Sequence, residues 1–149
     1  MKRYKSLYEN TKLDFSDLKY ESQEEIAYEL KDTYNLFNKT EYFWNTSDII
    51  EFINNTVNLP KIDKRMENTI FLFKQFKNRA TSKTAVEKYK KMLSKGIEFD
   101  PVIVSGKKFL DGGHRVTAYM EMNKKLIPVI DIKNILEYDW NKEIIKAYE

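Results

Sequence analysis

The side chains best suited to chemistry stand together at Asp111-Gly112-Gly113-His114-Arg115. An apolar run ending at Leu110 stops here, and helical spacing through Val116 and Tyr119 begins, so the segment reads as a strand-to-helix turn. The first N–H groups of a helix have no partner within it, and the helix dipole places partial positive charge at that end. Such a terminus suits an anion, phosphate above all. Gly112 and Gly113 would let a phosphate approach the backbone with no Cβ in the way. Arg115 can donate a bidentate pair to phosphate oxygens. His114, the one histidine of the chain, offers a donor or a proton acceptor. Asp111 could hold a ribose hydroxyl, a magnesium ion or a neighbouring amide. The plainer alternative is that the glycines only make the turn, His114 is a surface residue and Asp111 is a cap.

Composition bounds what this turn can serve. The chain has 149 residues, 42% hydrophobic and 33% charged, which is enough apolar material for a folded core and argues against disorder. With no cysteine, disulfides, thiolate metal sites and cysteine nucleophiles are excluded. That fits a cytoplasmic setting. No apolar stretch follows the charged start Met1-Lys2-Arg3-Tyr4-Lys5, and none approaches the roughly 20 residues of a membrane span, so neither a signal peptide nor a membrane association is expected. The net charge of +3 is too small to argue nucleic-acid binding by itself. A local excess does run from Lys74 to Lys95, where Lys74, Lys77, Arg79, Lys83, Lys88, Lys90, Lys91 and Lys95 face one acid, Glu87. It reads as a solvated helix face or as a phosphate-binding one.

All four glycines come at Gly96 or later, so the earlier chain reads as mainly helical. Ser22 with Glu25 forms a capping box ahead of Ile26, Leu30, Tyr34 and Phe37 at helical spacing. Ser47 opens a short helix with Ile49, Ile50, Phe52 and Ile53. Asn58 and Pro60 introduce a further helix in which Ile62, Met66, Ile70 and Phe73 recur every three to four residues. Another runs from about Lys83, with Val86, Tyr89 and Leu93 on one face, and stops at Lys95-Gly96. Strands then replace helices. Pro101–Val104 and Lys107–Leu110 make a hairpin about Ser105-Gly106, a helix follows from His114 to Met122, and Leu126–Ile132 is a third strand. Pro128 makes that strand an edge strand or puts the proline at a non-bonding position. Leu13-Asp14-Phe15 is a candidate for one more strand, and a last helix starts near Asp139. The expected fold is α+β: a small mixed sheet with helices in residues 81–149, and a mainly helical region in residues 1–80.

The ordered set Gly96, Pro101-Val102-Ile103-Val104, Asp111-Gly112-Gly113-His114-Arg115, Ala118 and Ile127-Pro128-Val129 resembles the core of the ParB/sulfiredoxin superfamily, over about a third of the chain. The resemblance implies a small mixed sheet and a turn that holds nucleotide phosphates, through Gly112, Gly113, His114 and Arg115. It implies ATP or ADP, with CTP as an alternative, and Mg2+ held at Asp111. Two departures narrow it. Sulfiredoxins carry a cysteine where Gly113 stands, so their sulfinic-acid chemistry is excluded. Partition ParB proteins continue into a helix-turn-helix and a dimerisation tail, for which the segment after Ile132 is too short, so a partition role is not expected. The Asp-Gly-x-His-Arg form is similar to stand-alone members that include free-serine kinases. In those, a glutamate early in the domain is the base toward the hydroxyl of a small substrate. On that likeness Glu21, in the segment from Leu13 to Glu21, is the catalytic base, and the helices between residues 22 and 78 are an insertion. Its plain alternative is a charge complementing a helix N-terminus.

Two functional classes follow. One is a phosphotransferase or nucleotide hydrolase with His114, Asp111 and Glu21 in catalysis and a hydroxylated small molecule as second substrate. The other is a non-catalytic DNA-associated or protein-interaction regulator, or a ParB-like nuclease, with nucleic acid as partner.

Overall fold

The computed structural model describes residues 11–34, 45–76 and 81–147. The fold is α+β, with five strands in one mixed sheet and seven α-helices among the described residues. In chain order these are β1 (Thr11–Leu13), a 3-10 turn (Phe15–Asp17), α1 (Tyr20–Thr33), α2 (Thr46–Asn54), β2 (Ile62–Asn68), α3 (Thr69–Phe76), α4 (Lys83–Ser94), β3 (Val102–Ser105), β4 (Lys108–Asp111), α5 (Gly113–Glu121), β5 (Leu126–Asp131), α6 (Lys133–Glu137) and α7 (Trp140–Ala147). The strand order is β1-β2-β5-β3-β4. β5 runs antiparallel to β2 and parallel to β3, and β3 turns back on β4 as an antiparallel hairpin. No helix among the described residues is long and apolar enough to cross a membrane.

The chain divides into two compact units, one holding Asp63–Asp131 and the other Lys12–Ile62 with the segment from Ile132. This division falls within β2 and after β5.

The Asp63–Asp131 unit has a continuous apolar core. Leu72 and Phe76 of α3 and Val116 of α5 meet Val102, Val104, Phe109, Ile127 and Val129 of the sheet. Several polar contacts fix the hairpin that leads to the site. Arg65 donates from Nη1 to Asp131 Oδ2 (2.6 Å) and from Nη2 to the Gly106 carbonyl (2.8 Å), while Asp131 Oδ1 accepts the Gly106 N–H (2.9 Å). Gly106 is left-handed (φ 61°), as this turn requires. β4 ends the sheet and would expose unpaired backbone groups. The Gln75 side chain takes up two of them: its Nε2 donates to the Lys107 carbonyl (2.9 Å) and its Oε1 accepts the Phe109 N–H (2.8 Å).

In the other unit α1 and α2 bury Ile26, Leu30, Ile49 and Ile53, and α6 and α7 bury Ile135 and Trp140. The Trp140 indole N–H donates to the Ile135 carbonyl (2.7 Å). The Tyr34 hydroxyl donates to the carbonyls of Leu136 and Tyr138.

Several sequence expectations are corrected. The helix expected from Pro60 is a strand as far as Asn68, paired residue by residue with Leu126–Asp131, and becomes helical only at Thr69. Ile62 and Met66 are four apart, a spacing shared by one helix face and one strand face, so the pairing partner decides. Asn58, expected to cap that helix, is a left-handed turn residue (φ 61°). Ser22 does not cap α1. It is buried inside the helix, which starts at Tyr20, while the side chain of Gln23 donates to the carbonyls of Phe15 and Leu18. Asn45, with Asp48, forms the capping box of α2, two residues ahead of the expected start at Ser47. Phe15 lies in the 3-10 turn rather than in β1. β5 is interior, and Pro128 precedes the pairing with β3, which begins at Val129. Phe37, Lys77 and Arg79 lie outside the described residues.

Candidate functional site

The strand-to-helix turn lies where expected. β4 ends at Asp111, Gly112 is the residue before the helix and α5 starts at Gly113. Five of the six expected site residues, Asp111, Gly112, Gly113, His114 and Arg115, are therefore adjacent in space as in sequence, and what each one touches is specific.

Gly112 is left-handed (φ 111°), a conformation that favours glycine. A Cβ there would come within 3.0 Å of Arg115 Nη2 and 3.1 Å of Val102 Cγ2. At Gly113 a Cβ would lie 2.2 Å from both Cε2 and Cζ of Phe76. Both glycines are thus required by the protein's own packing. The space that sequence reasoning reserved for a phosphate beside Gly113 is filled by the Phe76 ring.

Arg115 is buried, 6% exposed. Its Nη1 donates to the carbonyls of Asp100 and Pro101, each at 3.0 Å. The guanidinium ties the start of β3 to the first turn of α5 and lies beneath Gly112, so it faces inward. It contributes positive charge under the turn, and its fork is engaged with the backbone.

His114 Nε2 accepts the Ser82 N–H at 3.1 Å. A nitrogen that accepts carries no proton, so in this arrangement the neutral ring holds its proton on Nδ1. Ser82 is the residue before α4, and its own Oγ accepts the Ala85 N–H (3.3 Å). The ring also meets Phe76 edge-on, centroids 6.3 Å apart. His114 thereby joins the starts of α4 and α5, which makes it a positioning residue.

Asp111 is half-buried, and its Oδ1 accepts the Gly112 N–H at 2.8 Å. Oδ2 has no partner among the described residues. The first α-helical bond of α5 runs from the Val116 N–H to the Gly112 carbonyl (3.0 Å). The N–H groups of Gly113 and His114, one and two residues into the helix, have no acceptor among the described residues. Two N–H donors are thus left over at this terminus, on a buried Gly113 and a half-buried His114, with one carboxylate oxygen beside them.

No cluster of three metal-ligating side chains occurs among the described residues. Mg2+ commonly keeps waters and is bound by one or two carboxylates plus substrate phosphates. Asp111 fits that role only as a single ligand to a magnesium ion arriving with a nucleotide. Glu21 is exposed on the first turn of α1, in the other compact unit, where its charge complements the helix dipole.

Sequence reasoning missed Phe76, Ser82 and the carbonyls of Asp100 and Pro101. They are distant in sequence from the turn, and no local spacing could have named them. No family model, curated protein or solved structure matches this chain.

Proposed function

We propose that the protein binds the phosphates of a nucleotide at the start of α5. The observation that carries this reading is the pair of unpartnered N–H groups at Gly113 and His114, set at a turn whose conformation is fixed from beneath by Arg115. A fixed helix terminus binds an anion without first having to order itself, and dipole and guanidinium both favour negative charge. The ParB/sulfiredoxin-like order of motifs supports a nucleotide as the source of that phosphate, ATP or ADP first and CTP second. Asp111 Oδ2 would hold the accompanying Mg2+ or a ribose hydroxyl.

In the phosphotransferase or hydrolase form of the proposal, Mg2+ neutralises charge on the transferring phosphoryl group when bound. This chain's residues then have divided roles. The amides of Gly113 and His114 bind phosphate oxygens, Arg115 holds the turn in shape, and Asp111 is the carboxylate within reach of the bound group. His114 keeps α4 in place, and its Nε2 is not available to take a proton while it is bonded to Ser82.

Thermal melting with ATP, ADP, CTP or GTP and Mg2+ tests the reading. A ligand that binds only the native state at about 100 times its Kd adds about 2.7 kcal/mol. Asp111→Asn keeps an oxygen for the Gly112 N–H and removes the charge, so it should fold normally and lose the magnesium-dependent part of the shift. The absence of a shift with any nucleotide overturns the proposal. A shift that Asp111→Asn leaves untouched removes Asp111 from the site.

A further inference from the structure

α4 has two unlike faces. Val86 is buried, and Tyr89 packs on Phe99 with ring centroids 4.9 Å apart. The other face carries Lys83, Lys88, Lys91 and Lys95, all exposed. These four line one shallow surface groove of about 580 Å³. None of the four has a carboxylate partner among the described residues. Glu87 is the one acid in the groove lining. It bonds Lys90 Nζ at 3.4 Å, and that nitrogen also meets Glu121 at 3.2 Å. The acid of this face is therefore already matched by a fifth lysine.

Lys88, Lys91 and Lys95 follow one another at three- and four-residue steps, so they share one stripe of the helix. At about 1.5 Å per residue, the stripe with Lys83 extends about 18 Å. One nucleic-acid strand advances about 3.4 Å per phosphate, so about five phosphates lie alongside such a stripe. A single small anion would use one or two of these cations. A helix that inserts into a membrane needs a broad apolar face bordering its cationic one; here Val86 and Tyr89 are turned inward, and the apolar residues in the groove lining are Met92 and the half-exposed Ile97, two side chains rather than a face.

We propose that the α4 face carrying Lys83, Lys88, Lys91 and Lys95 binds the phosphate backbone of nucleic acid, without reading sequence. Lys88, Lys91 and Lys95 lie beyond the first turn of α4, the turn that His114 joins to the start of α5, and this reading does not depend on nucleotide binding there.

Fluorescence anisotropy with labelled DNA duplexes and single strands, over a range of salt, tests it. Four phosphate contacts give a slope of log affinity against log salt of about −3.6 on duplex DNA. That is about 150-fold weaker binding between about 50 and 200 mM salt. The triple variant Lys88→Gln/Lys91→Gln/Lys95→Gln should keep a slope of about −0.9, or about 3.5-fold over the same range. Its substitutions are at exposed positions, and circular dichroism checks that it is folded. Lys124→Gln/Lys125→Gln, exposed but off this helix, should bind like the parent. The proposal is overturned by absence of binding at low salt, or by a triple variant with the parent's slope. Binding to anionic vesicles with none to nucleic acid overturns it equally.

Discussion

Alanine at Gly113 should destabilise the protein, although alanine is the better helix former. The new Cβ would lie 2.2 Å from two carbons of the Phe76 ring and 2.6 Å from a third. Carbon atoms pack comfortably at about 3.5–4.0 Å, so ring and helix must separate by more than about 1 Å. Phe76 has little room to retreat. It is 7% exposed and packs against Phe109, with centroids 5.7 Å apart. Overpacking of this kind costs about 1–3 kcal/mol. The helix preference of alanine over glycine returns about 0.5–1 kcal/mol. A net loss of about 1–2 kcal/mol is expected, read as a lower urea midpoint with unchanged slope. Phe76→Ala alone should cost about 3–5 kcal/mol through the cavity it leaves. In that background Gly113→Ala should become neutral or stabilising, a coupling of about 1–3 kcal/mol between the two sites. The reasoning is refuted if Gly113→Ala is as stable as the parent, or if its cost persists without the Phe76 ring.

Other outcomes follow from the same contacts. Arg115→Met strands the carbonyls of Asp100 and Pro101 and should lose about 3 kcal/mol in chemical denaturation, so ligand titrations of that variant need a stability control. His114→Gln should keep an acceptor for the Ser82 N–H, whereas His114→Ala loses it at about 1 kcal/mol; equal losses in the two would deny that bond a role. Trp140→Phe removes the donor to Ile135 and should cost about 1–3 kcal/mol in a thermal melt. Burial, then the charges of Asp139 and Glu137, raises the pKa of the Tyr34 hydroxyl. Its contribution is complete below the unfolded value of about 10 and is lost as pH rises through the higher folded one. Stability should fall on the alkaline side of that window, and Tyr34→Phe should flatten the fall in pH-dependent denaturation.

The order of elements from Lys83 to Asp131 was legible because glycine and proline punctuate it; the helix Lys133–Glu137, which no glycine or proline marks, was not expected. Gly96, Gly106 and the Gly112-Gly113 pair each stand at a change of structure, three of the four with positive φ. Before Gly96 such punctuation is scarce, and β2 was read as helix. Its strand state depends on β5, more than fifty residues later. Capping was not legible: Asn45 and Ser82, whose side chains cap α2 and α4, were not singled out, and Ser22 and Asn58, which were, cap nothing. At α1 the cap residue is Lys19, with no side-chain bond, so nothing in the sequence marked it.

At the site, sequence reasoning located the turn but not the contacts that its residues make. Arginine is almost never fully buried unless paired, so a surface role was the natural expectation for Arg115. Its carbonyl partners at Asp100 and Pro101 carry no side-chain signal. The same holds for His114, whose partner is a backbone N–H. The consequence is a distinction that composition cannot draw. Gly112, Gly113, His114 and Arg115 build the turn, and what the turn offers a ligand is backbone amides together with Asp111. Substitutions of the first four therefore test whether the frame stands. Asp111→Asn, which preserves the frame, tests whether it holds a nucleotide with its magnesium ion. A nucleotide-induced rise in melting temperature that survives His114→Gln but loses its magnesium dependence in Asp111→Asn would separate the two roles within one turn.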